Sequence, residues 1–352
     1  MQERSVNNGL LFPLKGFQVG LTANDKPNYK ITSYEADHVE IRDDGKVVTA
    51  FDSSISPYSV KSVHDYIDIP CGRCIGCRLA YSRQWADRCM LELGYHEQSW
   101  FVTFTYDDDH LPVNEVIDPE SGEVSVNATL VKRDVQLFMK RLRKNYKYDN
   151  DIRYFFAGEY GSQTFRPHYH AILFGLKLDD LKLYKQSMEG YNYYNSEFLS
   201  KCWQNKGHVV VGEVTWDTCA YTARYIMKKQ YGSAADIYER YNILPEFTLM
   251  SLKPAIGRRY YDEHKEDIYN SDYIFVGTKE GSHKIKPPKY YDKLFDVEYP
   301  DDSVIMKEQR KRFVEDMNTI KLQSTSLPYL SMLANEELVK QNQIRMLKRK
   351  EF

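Results

Sequence analysis

The stretch Arg166-Pro167-His168-Tyr169-His170-Ala171-Ile172-Leu173-Phe174-Gly175 constrains this chain more than any other. Two histidines one residue apart head a run with the composition of a buried strand. Side chains alternate across a strand, so His168 and His170 share a face with Cα atoms about 6.5 Å apart, within reach of one ion. Tyr169 points the other way. Beyond the histidines both faces are apolar, Ile172 and Phe174 on one and Ala171 and Leu173 on the other, which argues for a central strand. An isolated pair of this kind is more often two satisfied core histidines than a metal site, so the surrounding sequence has to decide.

Upstream, Ile152-Arg153-Tyr154-Phe155-Phe156-Ala157-Gly158 reads as a second strand, followed by Glu159 and the polar loop Tyr160-Gly161-Ser162-Gln163-Thr164. A hairpin closed there brings Glu159 to the histidine end of the next strand. Two imidazoles and a carboxylate make an open divalent-metal site with positions left for a substrate oxygen. Downstream lies Tyr221-Thr222-Ala223-Arg224-Tyr225-Ile226-Met227-Lys228-Lys229. On a helix, Tyr221, Tyr225 and Lys228 share a stripe bordered by Arg224. Two phenols and two cations there suit phosphodiester chemistry, although an amphipathic helix with core tyrosines and snorkelling cations has the same pattern.

Taken together these segments resemble the HUH endonucleases. His168-Tyr169-His170 looks like their His-hydrophobic-His motif, Tyr221 to Lys228 like their Tyr-x-x-x-Tyr-x-x-Lys motif, and Phe101-Val102-Thr103-Phe104-Thr105-Tyr106 like their first strand motif. With Pro70-Cys71-Gly72-Arg73-Cys74-Ile75-Gly76-Cys77-Arg78 ahead of them, the order resembles the replication initiation proteins of Microviridae, gokushoviruses in particular, over residues 65 to 290. Arg224 departs from the lysine that related two-tyrosine proteins often carry, with the charge retained. The resemblance implies a replication initiator and site-specific single-stranded DNA endonuclease/ligase. Glu159, His168 and His170 would hold Mg2+ or Mn2+. Tyr225 and Tyr221 would be the nucleophiles, in an order the residues do not set, and Lys228 would act on phosphate charge or on the phenol. A 5′-phosphotyrosyl link with a free 3′-OH, rolling-circle copying and rejoining of ends follow from it. The partners would be a single-stranded origin and the host polymerase and helicase.

The remaining sequence sets the context. Net charge is -2, so DNA contacts must come from local patches: Arg224 and Lys229, and a helix from Thr129 whose stripe of Leu130, Val131, Val135, Phe138, Met139, Leu142 and Tyr146 is backed by Lys140, Arg141, Arg143 and Lys144. The 29 tyrosines are compatible with base stacking and with cores alike. Cys71, Cys74 and Cys77 are spaced for zinc or for a reduced structural turn. Cys89, about 18 Å along a helix running from Leu79 to Tyr95, is too far to complete the set, which leaves His64, Cys202 or Cys219. Met1-Gln2-Glu3-Arg4 lacks a signal-peptide core, and no apolar run approaches the ~20 residues of a membrane span. The bacterial cytoplasm is the expected location. No Gly-x-x-x-x-Gly-Lys-Ser/Thr loop occurs, so strand separation falls to a host enzyme.

Four segments are expected: an extension with a β-hairpin around Asp44-Gly45 (1–64), a cysteine knuckle and helix (65–97), an HUH endonuclease domain (98–290) and a polar helical tail (291–352). Within the third, the order strand, helix, strand, strand, helix, strand predicts an α+β fold on a ferredoxin-like antiparallel sheet, with residues 107 to 127 as a polar excursion. One competing reading, a hydrolytic metalloenzyme using activated water, makes the tyrosines structural; the other is a noncatalytic single-stranded nucleic-acid-binding protein on the same kind of sheet. The latter gives Glu159, His168 and His170 no purpose.

Overall fold

Short β-rich segments punctuated by Gly, Asp and Pro give the N-terminal part of the chain two small antiparallel sheets. The structure, a computed structural model, describes residues 13–25, 27–117, 120–187, 190–224, 229–230, 232–278 and 281–346. Two compact units are present: Met1–Ala80 together with Met306–Phe352, and Tyr81–Ile305. In the first unit β1 (Pro13–Leu21) lies between β2 (Pro27–Thr32) and β6 (Tyr66–Pro70), and β3 (His38–Arg42) lies between β4 (Val47–Ala50) and β5 (Ser59–Val63). The β3–β4 hairpin closes over Asp43-Asp44-Gly45, where Gly45 takes the left-handed φ of 78° that the turn requires. Phe17, Ala36 and Val39 form its small core. Helix α1 (Ile75–Leu93) follows.

The second unit is built on one antiparallel sheet of seven strands. In chain order its elements are β7 (Ser99–Phe104), the hairpin β8 (Val113–Ile117) and β9 (Val124–Ala128), α2 (Lys132–Asn145), β10 (Arg153–Tyr160), β11 (Pro167–Phe174), β12 (Leu181–Gln186), β13 (Asn192–Ser196), α3 (Glu197–Cys202), β14 (Val209–Glu213), α4 (Trp216–Arg224), α5 (Asp236–Arg240), β15 (Phe247–Met250), α6 (Arg258–Ser271), β16 (Ile274–Thr278), β17 (Gly281–Ile285) and α7 (Lys289–Glu298). Strand order is β12-β13-β14-β7-β11-β10-β15. The histidine strand β11 is therefore paired on both sides, as its two apolar faces require. Helices α8 (Pro300–Gln323) and α9 (Tyr329–Met346) make the C-terminal region helical, so the fold is mixed α+β. Among the described residues no helix is long and apolar enough to cross a membrane.

Each face of the large sheet has its own core. On one, Val135, Phe138, Met139 and Leu142 of α2 and Leu199 of α3 pack with Phe104, Phe156, Tyr169 and Leu173. On the other, Trp85, Ala86 and Cys89 of α1 and Cys219 and Ala223 of α4 cover Phe155, Ile172 and Phe174. A buried ion pair ties α1 to β10: Arg153 Nη1 lies 3.0 Å from Glu92 Oε1, and the same carboxylate accepts the Gly257 N–H at 2.6 Å.

Three elements differ from the sequence reading. The excursion after β7 contains the β8–β9 hairpin, which forms a two-stranded sheet of its own and leaves Val113, Ile117, Val124 and Val126 exposed, so no buried face marks it. Strands β12 and β13 extend the sheet, with β12 as its exposed, lysine- and tyrosine-bearing edge and Tyr193 and Ser196 of β13 buried. The segment from Phe247, read as a basic loop, begins as strand β15 on the edge of β10.

Tyr169 anchors the face away from the histidines. Its hydroxyl accepts the Val131 N–H at 2.8 Å and lies 3.2 Å from the Tyr106 hydroxyl, which donates to Asp134 at 2.7 Å. Tyr169→Phe leaves a buried N–H at the start of α2 without its acceptor and is expected to cost about 1–3 kcal/mol in urea denaturation. On α1, burial pushes the Asp87 carboxyl up to about 6 from 3.8, and Arg83 offsets this only partly. An acid raised in the folded state loses stability on ionising, so this contribution falls as pH climbs from about 4 to about 6 and stays low above it. Asp87→Asn should abolish that slope and exceed the parent in stability at pH 7, as read by thermal unfolding across the range.

Candidate active site

The β10–β11 hairpin sets the site. Its register pairs Glu159 with His168 and Ala157 with His170, and directly opposed residues project from one face. On the other side of β11, Thr103 of β7 stands opposite His170. His170 is buried with both ring nitrogens engaged: Nε2 lies 3.0 Å from Glu159 Oε1, and Nδ1 lies 3.1 Å from Thr103 Oγ1. A hydroxyl donates or accepts, so Thr103 satisfies either tautomer. With Nδ1–H donating to Thr103, Nε2 and the carboxylate become two donors turned to one point. Octahedral bonds of about 2.1 Å place neighbouring donors about 3.0 Å apart, which is the spacing of this pair. The described donor groups that close within 4.8 Å are Cys71/Cys74/Cys77 and Asp37/His38/His64. His168 stands further off from the Glu159–His170 pair, with its ring against Gly161, where an added Cβ would meet His168 Cε1 at 3.1 Å.

Helix α4 lies over this face. Thr215 and Thr218 start it with reciprocal side-chain caps, Thr218 Oγ1 accepting Thr215 N–H at 2.8 Å and Thr215 Oγ1 accepting Thr218 N–H at 3.2 Å. The small side chains of Cys219 and Ala223 let the helix approach the sheet, and both are fully buried. Half-buried Tyr221 then stands edge-on to the His170 imidazole, with ring centroids 5.6 Å apart. Phe101 of β7 supports both rings, stacked 5.7 Å from His170 and edge-on to Tyr221 at 6.1 Å. The Arg224 guanidinium lies 5.9 Å from the Tyr221 ring centre. Tyr225 and Lys228 lie outside the described residues, as do Met1 to Arg4 and the basic end 347–350.

Glu159, His170, Tyr221 and Arg224 are thus brought together, and His168 is on the same strand face. The α2 candidates are elsewhere, because α2 packs on the opposite face of the sheet. Arg141 Nε donates to Cys202 O at 2.6 Å and Arg143 Nη2 to Ile152 O at 3.1 Å, so both hold the fold, while Lys140 and Lys144 are exposed. Lys229 is half-buried just after the tyrosine segment. Cys202 and Cys219 sit in the two apolar cores, where burial pushes their thiols up. His64 stacks on His38 beside Asp37. Thr103 and Phe101 had no role in the sequence reading. The signal was present in the alternation of Phe101-Val102-Thr103, which puts the one hydroxyl on the histidine face once β7 is known to flank β11.

A family model described as replication-associated protein, of the ORF2 type, matches residues 99–230, from the start of β7 to just past α4. The chain is 34% identical over 286 residues to the replication-associated protein ORF2 of Spiroplasma virus 4, covering 80% of this chain and 85% of that one. It is 30% identical over 239 residues to the replication-associated protein VP4 of Bdellovibrio phage phiMH2K, covering 66% and 69%. With the replication-associated protein ORF4 of Chlamydia phage 1 it shares 32% identity over 168 residues, 46% of this chain and 38% of the relative. No solved structure matches the chain.

The Thr103–His170 contact makes a direct prediction. Thr103→Val takes the hydroxyl partner from a buried imidazole nitrogen and should lower stability by about 1–3 kcal/mol, whereas Thr103→Ser keeps the hydroxyl and most of the stability. Chemical denaturation of the two variants beside the parent reads the difference.

Proposed function

The chain belongs to the phage replication-associated proteins represented by these relatives, and from that premise we propose that it is an HUH-type replication initiator that nicks single-stranded DNA at an origin by tyrosine transesterification. The observation that carries this reading is the Tyr221 ring set 5.6 Å from an imidazole whose Nε2 is 3.0 Å from a carboxylate. The order β14-β7-β11-β10, with α2 and α3 in the connections, supports the ferredoxin-like assignment, since a split βαβ sheet has this arrangement.

In this mechanism Glu159, His168 and His170 would hold Mg2+ or Mn2+. When bound there, the ion would supply polarisation and positioning of the scissile phosphate. Tyr225, four positions beyond Tyr221 in the sequence, attacks phosphorus with its phenolic oxygen. The bond to O3′ breaks, leaving a free 3′-OH and a 5′-phosphotyrosine. A phenol with an ordinary pKa near 10 is a weak nucleophile at neutral pH, and Lys228 and Arg224 place positive charge beside it and beside the phosphate. The covalent link conserves the energy of the phosphodiester, so Tyr221 can make a second exchange and ends rejoin without ATP. Thr103 fixes the His170 ring. The host polymerase extends the 3′-OH and a host helicase separates strands, in the bacterial cytoplasm.

Purified protein with single-stranded fragments of its cognate genome and Mn2+ or Mg2+ should give nicked DNA and a protein–DNA adduct, both lost on chelation. Tyr225→Phe should abolish or sharply reduce the adduct, and His168→Ala should abolish cleavage in any metal. Thr103→Val should lower metal affinity or nicking about 10–100-fold. Robust nicking by the Tyr221→Phe/Tyr225→Phe double variant would sink the nucleophile assignment. Sequence-specific binding by the parent without cleavage in any divalent ion would favour the noncatalytic reading.

A further inference from the structure

The cysteine segment is not used by the chemistry above, and the structure gives it a geometry of its own. After β6 the chain turns at Gly72, whose φ of 72° is left-handed, and the Sγ atoms of Cys71, Cys74 and Cys77 converge within 4.8 Å of one another. Cys71 and Cys77 sulfurs are 4.0 Å apart. A tetrahedral zinc site with Zn–S bonds of about 2.3 Å places its sulfurs about 3.8 Å apart, so the thiols already stand close to the edge length of that polyhedron.

Backbone donors and a helix start lie around these sulfurs, while the Cys74 contact and burial push the Cys77 thiol up, so binding an ion has to release its proton. The backbone N–H groups of Arg73 and Cys74 donate to Cys71 Sγ at 3.5 and 3.3 Å, and the Cys77 N–H donates to Cys74 Sγ at 3.4 Å. Cys74 and Cys77 also sit at the start of the 19-residue helix α1, whose positive dipole end lowers the cost of negative charge. A helix cap accounts for the bond to Cys74 Sγ. It does not account for three thiols facing one another, Cys74 and Cys77 among them buried.

We propose that Cys71, Cys74 and Cys77 bind one Zn2+ as thiolates, with an exogenous donor, water in the isolated protein, at the fourth position. The ion ties the end of β6 to the first turn of α1 and is separate from the divalent ion of the nicking centre. The proposal does not rest on the nicking reading, because its donors and its readouts are different.

The test uses the full-length chain, stripped of metal under reducing conditions and titrated with Co2+. The expected result is an intense sulfur-to-cobalt charge-transfer band that saturates near one equivalent, is displaced by Zn2+, and leaves three fewer thiols reactive to a disulfide reagent. The band should vanish in Cys74→Ser and persist in His64→Ala and His170→Ala. Weak bands without charge transfer, removed by His64→Ala, would place the ion on Asp37, His38 and His64 and overturn the proposal. So would a charge-transfer band that survives in both Cys71→Ser and Cys74→Ser. Should Cys74→Ser fail to fold, the parent decides: no change in reactive thiols between the Zn2+-loaded and stripped forms refutes the site.

Discussion

The site depends on the register of one hairpin. Antiparallel pairing of β10 with β11 puts Glu159 across from His168 and next to His170 on a single face. Side chains alternate with period two, so a slip of one residue would send the carboxylate to the α2 side and bury a histidine in the wrong core. The apolar residues that follow prevent the slip. Phe155, Ile172 and Phe174 fit only under α1 and α4, and Phe156, Ala171 and Leu173 only under α2. The cores on the two faces thereby hold the polar constellation at the end of the strands in place, as a rigid element must do for a catalytic group.

The second requirement is that a phenol reach this constellation. Helix α4 meets it through its start and its size: a reciprocal threonine cap fixes where the helix begins, and Cys219, Thr222 and Ala223 are small enough for its axis to lie close to the sheet. Phe101 then supports His170 and Tyr221 together. Arg224 stands beside Tyr221 on this face, whereas Arg141 and Arg143 are committed to backbone carbonyls on the far side.

How much of this was legible follows from which signals burial writes into a sequence. The histidine strand, its partner with Glu159, the α2 stripe and the tyrosine helix as far as Arg224 were readable, because each carries a core face with a clear period. The β8–β9 hairpin, β12 and β15 were not: they are exposed or sit on an edge, so burial writes no core face into them. Thr103 was readable as part of a strand but not as a partner of His170. Its role comes from a cross-strand neighbour 67 residues away, and only the strand order supplies that neighbour. The cysteines were legible as a group, but their convergence required the left-handed turn at Gly72.

In the proposed function, the carboxylate–imidazole centre and a tyrosine of the 221–225 segment act on the same phosphodiester. The most direct test is to trap the reaction of the parent protein with cognate single-stranded DNA and Mn2+, digest the DNA with nuclease and the protein with protease, and locate the remaining nucleotide by mass spectrometry. The account predicts a 5′-phosphate ester on the tyrosine of a peptide containing Tyr225 or Tyr221, absent when metal is chelated. Cleaved DNA with no nucleotide on either tyrosine would contradict it, since water would then be the nucleophile.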